Sequence, residues 1–512
     1  MTTPKAENRL CDFLLAAGID GKPDQEALDH ITHLNSLAIK LGRKDAVERT
    51  LAWHETLSQR TLTDEQAVAL DLSWANAIGN ERYGTAWKWE QSPLAREIYL
   101  LRRAVSRNGF VSVSSVLKCK CFTNLGNRLE VAGRLVEALE CWRRALEVQP
   151  QFGMALCNRA IGFYTYASAL EDSGKRSLLL WMAHKEATAA MAPKAIYTDS
   201  SDQANRDRTG KLREYLGSIL DIPRIEALNP LDSEDASASE EEREYRTWCT
   251  NHCLYLNYAN DLGPYAVANH DFLGIGTHAV DVATPHLFDS FFDQMEQEYV
   301  SARWLLYEGT TGGTTHFSDK GVALAASEPR PALSLRVEKL KAAYRMSYSL
   351  FDKIGYFINA YMQLGIPKDR VSFRNLWRPD KTKPIRSQFD LHGNWAFCAL
   401  YWLAKDFYED ANDQVVEPQA LDLGLIRNHL EHKYLRITVA ETPAGLPTDL
   451  AFSVSREQFA KKALHLLRLA RSALIYLSLG VGFEEQRRNL TREESGMEEF
   501  AVTPLVPDSE KI

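Results

Sequence analysis

Between Phe122 and Pro150 the chain sets Phe122, Leu125, Gly126, Leu129, Ala138, Trp142 and Ala145 at the large and small positions of a two-helix packing unit. Small residues at Gly126 and Ala138 let two antiparallel helices approach closely, and Pro150, which cannot donate a backbone hydrogen bond, ends the second. Such a hairpin cannot bury its own apolar faces, so at least about three stacked units are needed. Residues 10–220 supply enough helix for that. Thr63 with Gln66 forms a capping box for a helix through Trp74 and Ile78, and Pro93 opens another through Ala104. Met154 to Ala192 continues the pattern with Tyr164, Leu178, Leu179 and Trp181, stopping at Pro193. These features predict an α-solenoid over the N-terminal part of the chain.

The Phe122–Pro150 spacing resembles the tetratricopeptide repeat, which makes residues 1–225 a tetratricopeptide-like (TPR-like) domain. At 512 residues the chain exceeds one core, and 45% hydrophobic with 25% charged residues describes an ordinary globular composition. The segment Leu228–Glu244 is acidic, serine-rich and poor in apolar residues, which predicts a loose linker over 226–245. Residues 246–330 turn aromatic again, with Phe288, Phe291, Tyr299, Trp304 and Leu305 at helical spacings, and read as a connecting region that packs on the C-terminal domain.

Residues 331–490 hold four helical stretches, about 333–362, 393–410, 419–435 and 456–480, the last opened by Ser455 with Gln458 as a capping box. Leu435–Val439 reads as a short strand, and 491–512 as a tail. A four-helix bundle is the economical arrangement, so the fold class is all-α throughout.

No apolar stretch reads as a membrane span, and the N-terminus lacks a secretory apolar core, which predicts a cytoplasmic protein without a membrane partner. The cysteines contain no Cys-x-x-Cys pair and no disulfide spacing, as expected of reduced, buried thiols. The net charge of −8 gives no global attraction for nucleic acid, so any RNA contact needs a local basic patch.

The chemistry concentrates in Leu425-Ile-Arg-Asn-His-Leu-Glu-His-Lys-Tyr434. Arg427 can clamp a phosphate, Asn428 supplies an amide, and His432 titrates near neutral pH; together these groups can move protons around a phosphodiester without a metal. On a helix Asn428 and His432 are four residues apart and share a side, whereas Arg427 lies roughly 140° from His432. Only its long side chain, or a site shared with a second copy, brings its charge beside the imidazole.

The pattern Arg-x4-His with Asn after the Arg resembles the HEPN superfamily, and Tyr434 extends it to Arg-x4-His-x-Tyr, the variant of HEPN toxins whose tyrosine is nucleotidylated by an antitoxin. About 70 residues upstream, Arg345-Met-Ser-Tyr-Ser-Leu-Phe-Asp352-Lys353-Ile-Gly-Tyr-Phe-Ile-Asn359 resembles the first helix of the bacterial HEPN group joined to tetratricopeptide repeats. The resemblance implies a cofactor-free, metal-independent endoribonuclease, toxin-like or antiviral, whose site is completed by a homodimer. His432 would be general base or acid in forming a 2′,3′-cyclic phosphate and a 5′-hydroxyl end. Arg427 would stabilise the phosphoryl charge, and Asn428 would orient a neighbour or hold dimer register. His429 and Tyr434 would support the site. Asp352, Lys353 and Asn359 would be the polar partners that the first helix presents, with Asp352 holding the His432 tautomer.

The run Arg370, Phe373, Arg374, Trp377, Arg378, Lys381, Lys383 and Arg386 interleaves charge with aromatics, a pattern that can track an RNA backbone and stack bases. Gly309-Thr-Thr-Gly-Gly-Thr-Thr315 lacks the spacing and lysine of a P-loop, and Cys249, His252 and Cys253 lack a fourth zinc ligand, so both read as structural. The preferred expectation is an RNA-cleaving effector whose repeats receive an unknown protein, peptide or nucleic-acid trigger. The rival is a non-catalytic scaffold or RNA-binding interaction protein built from the same domains.

Overall fold

The capping box at Thr63 forms as its sequence predicts: the Thr63 hydroxyl accepts from the Gln66 N–H, and the Gln66 side chain accepts from the Thr63 N–H. The computed structural model describes residues 4–82, 88–198, 203–232, 239–276, 286–311, 313, 315–323, 331–380, 383–389, 393–407, 416–418, 420–439 and 450–495. Two units divide the chain. One comprises residues 1–163, 183–218 and 408–420, and the other 164–182, 219–407 and 421–512.

The first unit is built from α1 (Pro4–Ala17), α2 (Asp24–Leu41), α3 (Lys44–Ser58), α4 (Asp64–Glu81), α5 (Ser92–Ser106), α6 (Ser115–Val131) and α7 (Leu135–Val148). It also takes in parts of α8 (Gly153–Ser168), α9 (Ser173–Met191) and α10 (Gln203–Ile219). From α1 to α7 each helix packs on the next, and α1 with α3, α2 with α4 and α4 with α6 also touch, the near-neighbour pattern of a solenoid. In the α6–α7 hairpin, a Cβ on Gly126 would stand 2.5 Å from the Trp142 indole nitrogen, so only glycine admits this ring. The indole is fully buried and its N–H donates to Asn127 Oδ1 at 3.0 Å.

His54 on α3 is also fully buried. Its Nδ1–H donates to the Thr50 carbonyl at 2.7 Å, which leaves Nε2 to accept from the Ser73 hydroxyl at 3.1 Å. Burial pulls its pKa from 6.5 down to about 4. The unfolded chain therefore takes the proton first, and the folded state loses stability as pH falls through that window, by roughly 1.4 kcal/mol per pH unit. Thermal melts should fall between pH 7 and pH 5 more steeply in the wild type than in His54→Gln. Equal slopes would contradict a neutral buried imidazole.

The second unit adds α11 (Ile222–Ala227), α12 (Glu240–Asn251), α13 (Leu287–Thr311), α14 (Leu335–Tyr361), α15 (Trp395–Ala404), α16 (Ala420–His432) and α17 (Arg456–Ser495). Part of the expected linker is helical. Ser239 caps α12 through the Glu242 N–H, and Glu240, Glu241 and Glu242 fill the first turn, where the positive end of a helix favours carboxylates. The sequence reading missed that the acidic run is a helix start.

A second correction concerns the bundle. Its packed helices are α13, α14, α15 and α17, because α13, expected to be connecting structure, lies against both α14 and α17 and buries Phe292, Met295, Tyr299 and Leu306. The expected fourth member, α16, instead rests on α14 through side chains. Strands β1 (Tyr434–Thr438) and β2 (Ala451–Ser455) pair in parallel, Tyr434 opposite Ala451, so β1 follows α16 directly and β2 leads into α17. Ser455 caps α17 as expected, accepting from the Gln458 N–H at 3.2 Å.

Contrary to the sequence reading, Arg456–Leu490 is by length and composition apolar enough to cross a membrane. Most of its apolar window is buried within the protein, where Leu466, Leu467, Ala470, Leu474 and Leu477 form the core. A central bundle helix surrounded on all sides is apolar all round for the same reason as a spanning helix.

Candidate active site

Helix α16 turns a stripe of Leu423, Ile426 and Leu430 inward. Spaced three and four apart, these residues fix the rotation of the helix and therefore where each polar group lies. Arg427 and Asn428 fall beside the stripe and are half-buried, while His432 ends the helix in an exposed position. None of the three is sealed in the apolar interior.

His429 falls on the stripe itself and is 2% exposed. Its Nδ1–H donates to the Leu425 carbonyl at 2.7 Å, its ring lies against Phe452, and Nε2 has no partner. This corrects its expected place in a reactive site: the ring is part of the packing between α16 and β2 and is closed to RNA.

Helix α14 positions α16. The Tyr344 hydroxyl donates to the Leu423 carbonyl at 3.0 Å, and Lys462 of α17 pairs with Asp422 at 2.8 Å. Arg345 donates to the Leu430 carbonyl and lies 3.3 Å from the Glu431 carboxylate, so it holds the last turn of α16, next to His432. The Arg427 guanidinium lies 5.5 Å from the centre of the Tyr348 ring, a cation–π contact.

Asp352 stands within electrostatic reach of Arg427 and Arg374, and the Phe373 backbone N–H donates to it. Burial nevertheless pushes its carboxyl above the usual range, against the pull of those three groups. The charge it faces is that of Arg427, where the sequence reading had it hold the His432 tautomer. Because the fold penalises the ionised form, Asp352 costs stability as pH rises above its ordinary range. Asp352→Asn should therefore leave the melting temperature at pH 7 unchanged or raise it, while loosening the hold on Arg427. A large fall in melting temperature would contradict this.

The remaining first-helix candidates go elsewhere. Lys353 pairs with Glu298 on α13, and Asn359 bonds the Ile366 backbone through both its amide nitrogen (3.0 Å) and oxygen (3.1 Å). Neither is brought to α16. Tyr434 is exposed on β1 rather than on the helix.

The basic-aromatic run folds as a braced loop. Trp377 is 1% exposed, packed between Phe389 and Tyr401, with its indole N–H bonded to the Phe373 carbonyl at 2.8 Å. That overturns its expected role as a base-stacking platform, since the ring has no free face. Arg378 donates to the Lys383 carbonyl (2.9 Å) and the Tyr401 hydroxyl (3.0 Å), and Arg386 to the Leu376 carbonyl (3.0 Å). Arg374 is exposed and bonds the Phe407 carbonyl at 2.8 Å; Arg370 and Lys383 are exposed, and Lys381 lies outside the described residues. Cys249 is buried, its thiol pushed up to about 12 by desolvation.

Sequence reasoning gave no role to Arg345 or Tyr348, yet a signal was present: Arg345, Tyr348 and Asp352 are spaced three and four apart and share one face of α14.

An all-α chain with a polar helix laid on the first bundle helix is thus the class that fold and site define. Residues 280–484 match the model of a family described as LA2681-like HEPN. The match begins ahead of α13 and runs into α17, so the matched segment takes in the helix that the sequence reading had left outside the bundle. No curated protein and no solved structure matches the chain.

Proposed function

We propose that the protein is a metal-independent endoribonuclease of the HEPN type, controlled through its N-terminal helical repeats. The observation that carries this reading is the division of labour on α16: Arg427, Asn428 and His432 stay open to a ligand while the apolar stripe and His429 anchor the helix. Tyr348 and Asp352 pre-orient the guanidinium, which reduces the ordering needed when a phosphate binds.

In the reaction, the RNA 2′-oxygen bonds to the adjacent phosphorus as its proton passes to an imidazole. The bond to the 5′-oxygen breaks as that oxygen gains a proton. Arg427 neutralises the charge on the phosphoryl oxygens, and Asn428 orients a neighbouring group. A homodimer would supply two His432 imidazoles, one for each proton transfer. Exposed Arg370, Arg374 and Lys383 remain candidates for phosphate contact, whereas Trp377, Arg378 and Arg386 serve the loop.

The internal use of those three residues favours a second reading, a scaffold or RNA-binding interaction protein with no turnover. Expression of wild type, Arg427→Ala and His432→Ala in a bacterial host separates the two. Growth arrest by the wild type alone, at equal protein levels, supports the nuclease; equal arrest by all three supports the scaffold.

A further inference from the structure

Between α15 and α16 the chain passes from the second unit into the first and back: residues 408–420 cluster with the helical repeats, and residues from 421 onward with the bundle. Among them, Val416 is fully buried and Glu417 is 7% exposed, unusual for residues in a connecting segment. Both are held by one side chain of α5. Arg102, itself 8% exposed, lies 3.2 Å from the Glu417 carboxylate and donates to the Val416 carbonyl, also at 3.2 Å. A buried guanidinium that binds a carboxylate and the preceding carbonyl fixes both the position and the direction of the backbone at that point. Only Pro418 and Gln419 separate Glu417 from the first residue of α16.

We infer that Arg102 is a positioning residue for α16, tying the repeat unit to the helix that carries Arg427, Asn428 and His432. As a means of regulation it rests on the nuclease reading above; as a mechanical tie it does not. A displacement of α5 moves Glu417, and two intervening residues are too few to absorb more than a small part of it before α16 begins. Occupancy of the repeats and the setting of the guanidinium and imidazole are then linked through one ion pair, and by reciprocity a ligand on α16 alters the repeats.

The test is hydrogen–deuterium exchange on the full chain, comparing peptides from α16 with peptides from α14 and α17 in wild type, Arg102→Ala, Glu417→Ala and Arg102→Lys. Either alanine variant is expected to raise exchange in α16 by about tenfold while the α14 and α17 peptides stay near wild type. Lysine, which keeps the charge, should recover part of the protection. Unchanged α16 exchange in both alanine variants, or an equal rise in all three helices, overturns the inference. Should the alanine variants fail to fold, Glu417→Gln and Arg102→Lys decide it by the same peptides. RNA cleavage is measured alongside: a chain that never cuts RNA but whose α16 responds keeps the tie and loses the nuclease.

Discussion

His432→Ala is expected to lower RNA cleavage by about 10²–10⁴-fold, the usual contribution of one general acid or base, with no fall in melting temperature. The second half of that expectation follows from geometry. His432 is exposed at the last turn of α16, and that turn is held by Arg345 and by β1, which starts two residues on. Surface substitutions away from caps and cores change stability by only about ±0.5 kcal/mol. His429→Ala is the internal contrast: it empties a packed site against Phe452 and should destabilise the fold. Cleavage assays and thermal melts on both variants separate chemistry from packing. Were His432→Ala to melt early, or His429→Ala to abolish cleavage in a fully folded protein, the assignment of the two histidines would be reversed.

The largest stability effect is expected at Asp261. Arg471 in the middle of α17 is 2% exposed and bonds Asp261 at 2.7 Å, the Tyr255 carbonyl at 2.6 Å and the Asn257 carbonyl at 2.9 Å. The Tyr166 hydroxyl donates to the other Asp261 oxygen at 2.9 Å. Every donor of this buried network is aimed at a fixed acceptor, so Asp261→Ala leaves a guanidinium desolvated with no counter-charge. Breaking such a pair from one side costs about 3–5 kcal/mol. Replacing both partners with apolar residues of similar volume costs far less, because no charge is then stranded. Denaturant unfolding of Asp261→Ala and of a paired Asp261→Leu/Arg471→Met chain checks this. Equal losses in the two would mean that packing, not charge, holds that corner.

The same contrast between what is stranded and what is paired explains how far the sequence could be read. The α6–α7 hairpin was legible because a glycine facing a tryptophan permits few arrangements, and both residues sit at fixed spacing. Capping boxes at Thr63 and Ser455 were legible because they are local chemistry. The place of α13 was not, since its apolar face could serve a connecting helix or a bundle helix, and only long-range packing decides between them.

The site was half legible. The Arg427, Asn428 and His432 pattern pointed to α16, and the stripe of Leu423, Ile426 and Leu430 already excluded His429 from the open face. In the loop after α14 no helical or strand period exists, so alternating arginines and aromatics look alike whether the rings turn in or out. There Trp377 turned in, and Arg378 and Arg386 were used on the loop's own carbonyls.

The most direct measurement is the end chemistry of RNA incubated with purified wild type, Arg427→Ala and His432→Ala in the presence of EDTA. Wild type should leave 2′,3′-cyclic phosphate and 5′-hydroxyl ends, and neither variant should cut. Ends bearing a 5′-phosphate, dependence on a divalent metal, or the same cuts from all three proteins would contradict a site built from Arg427 and His432.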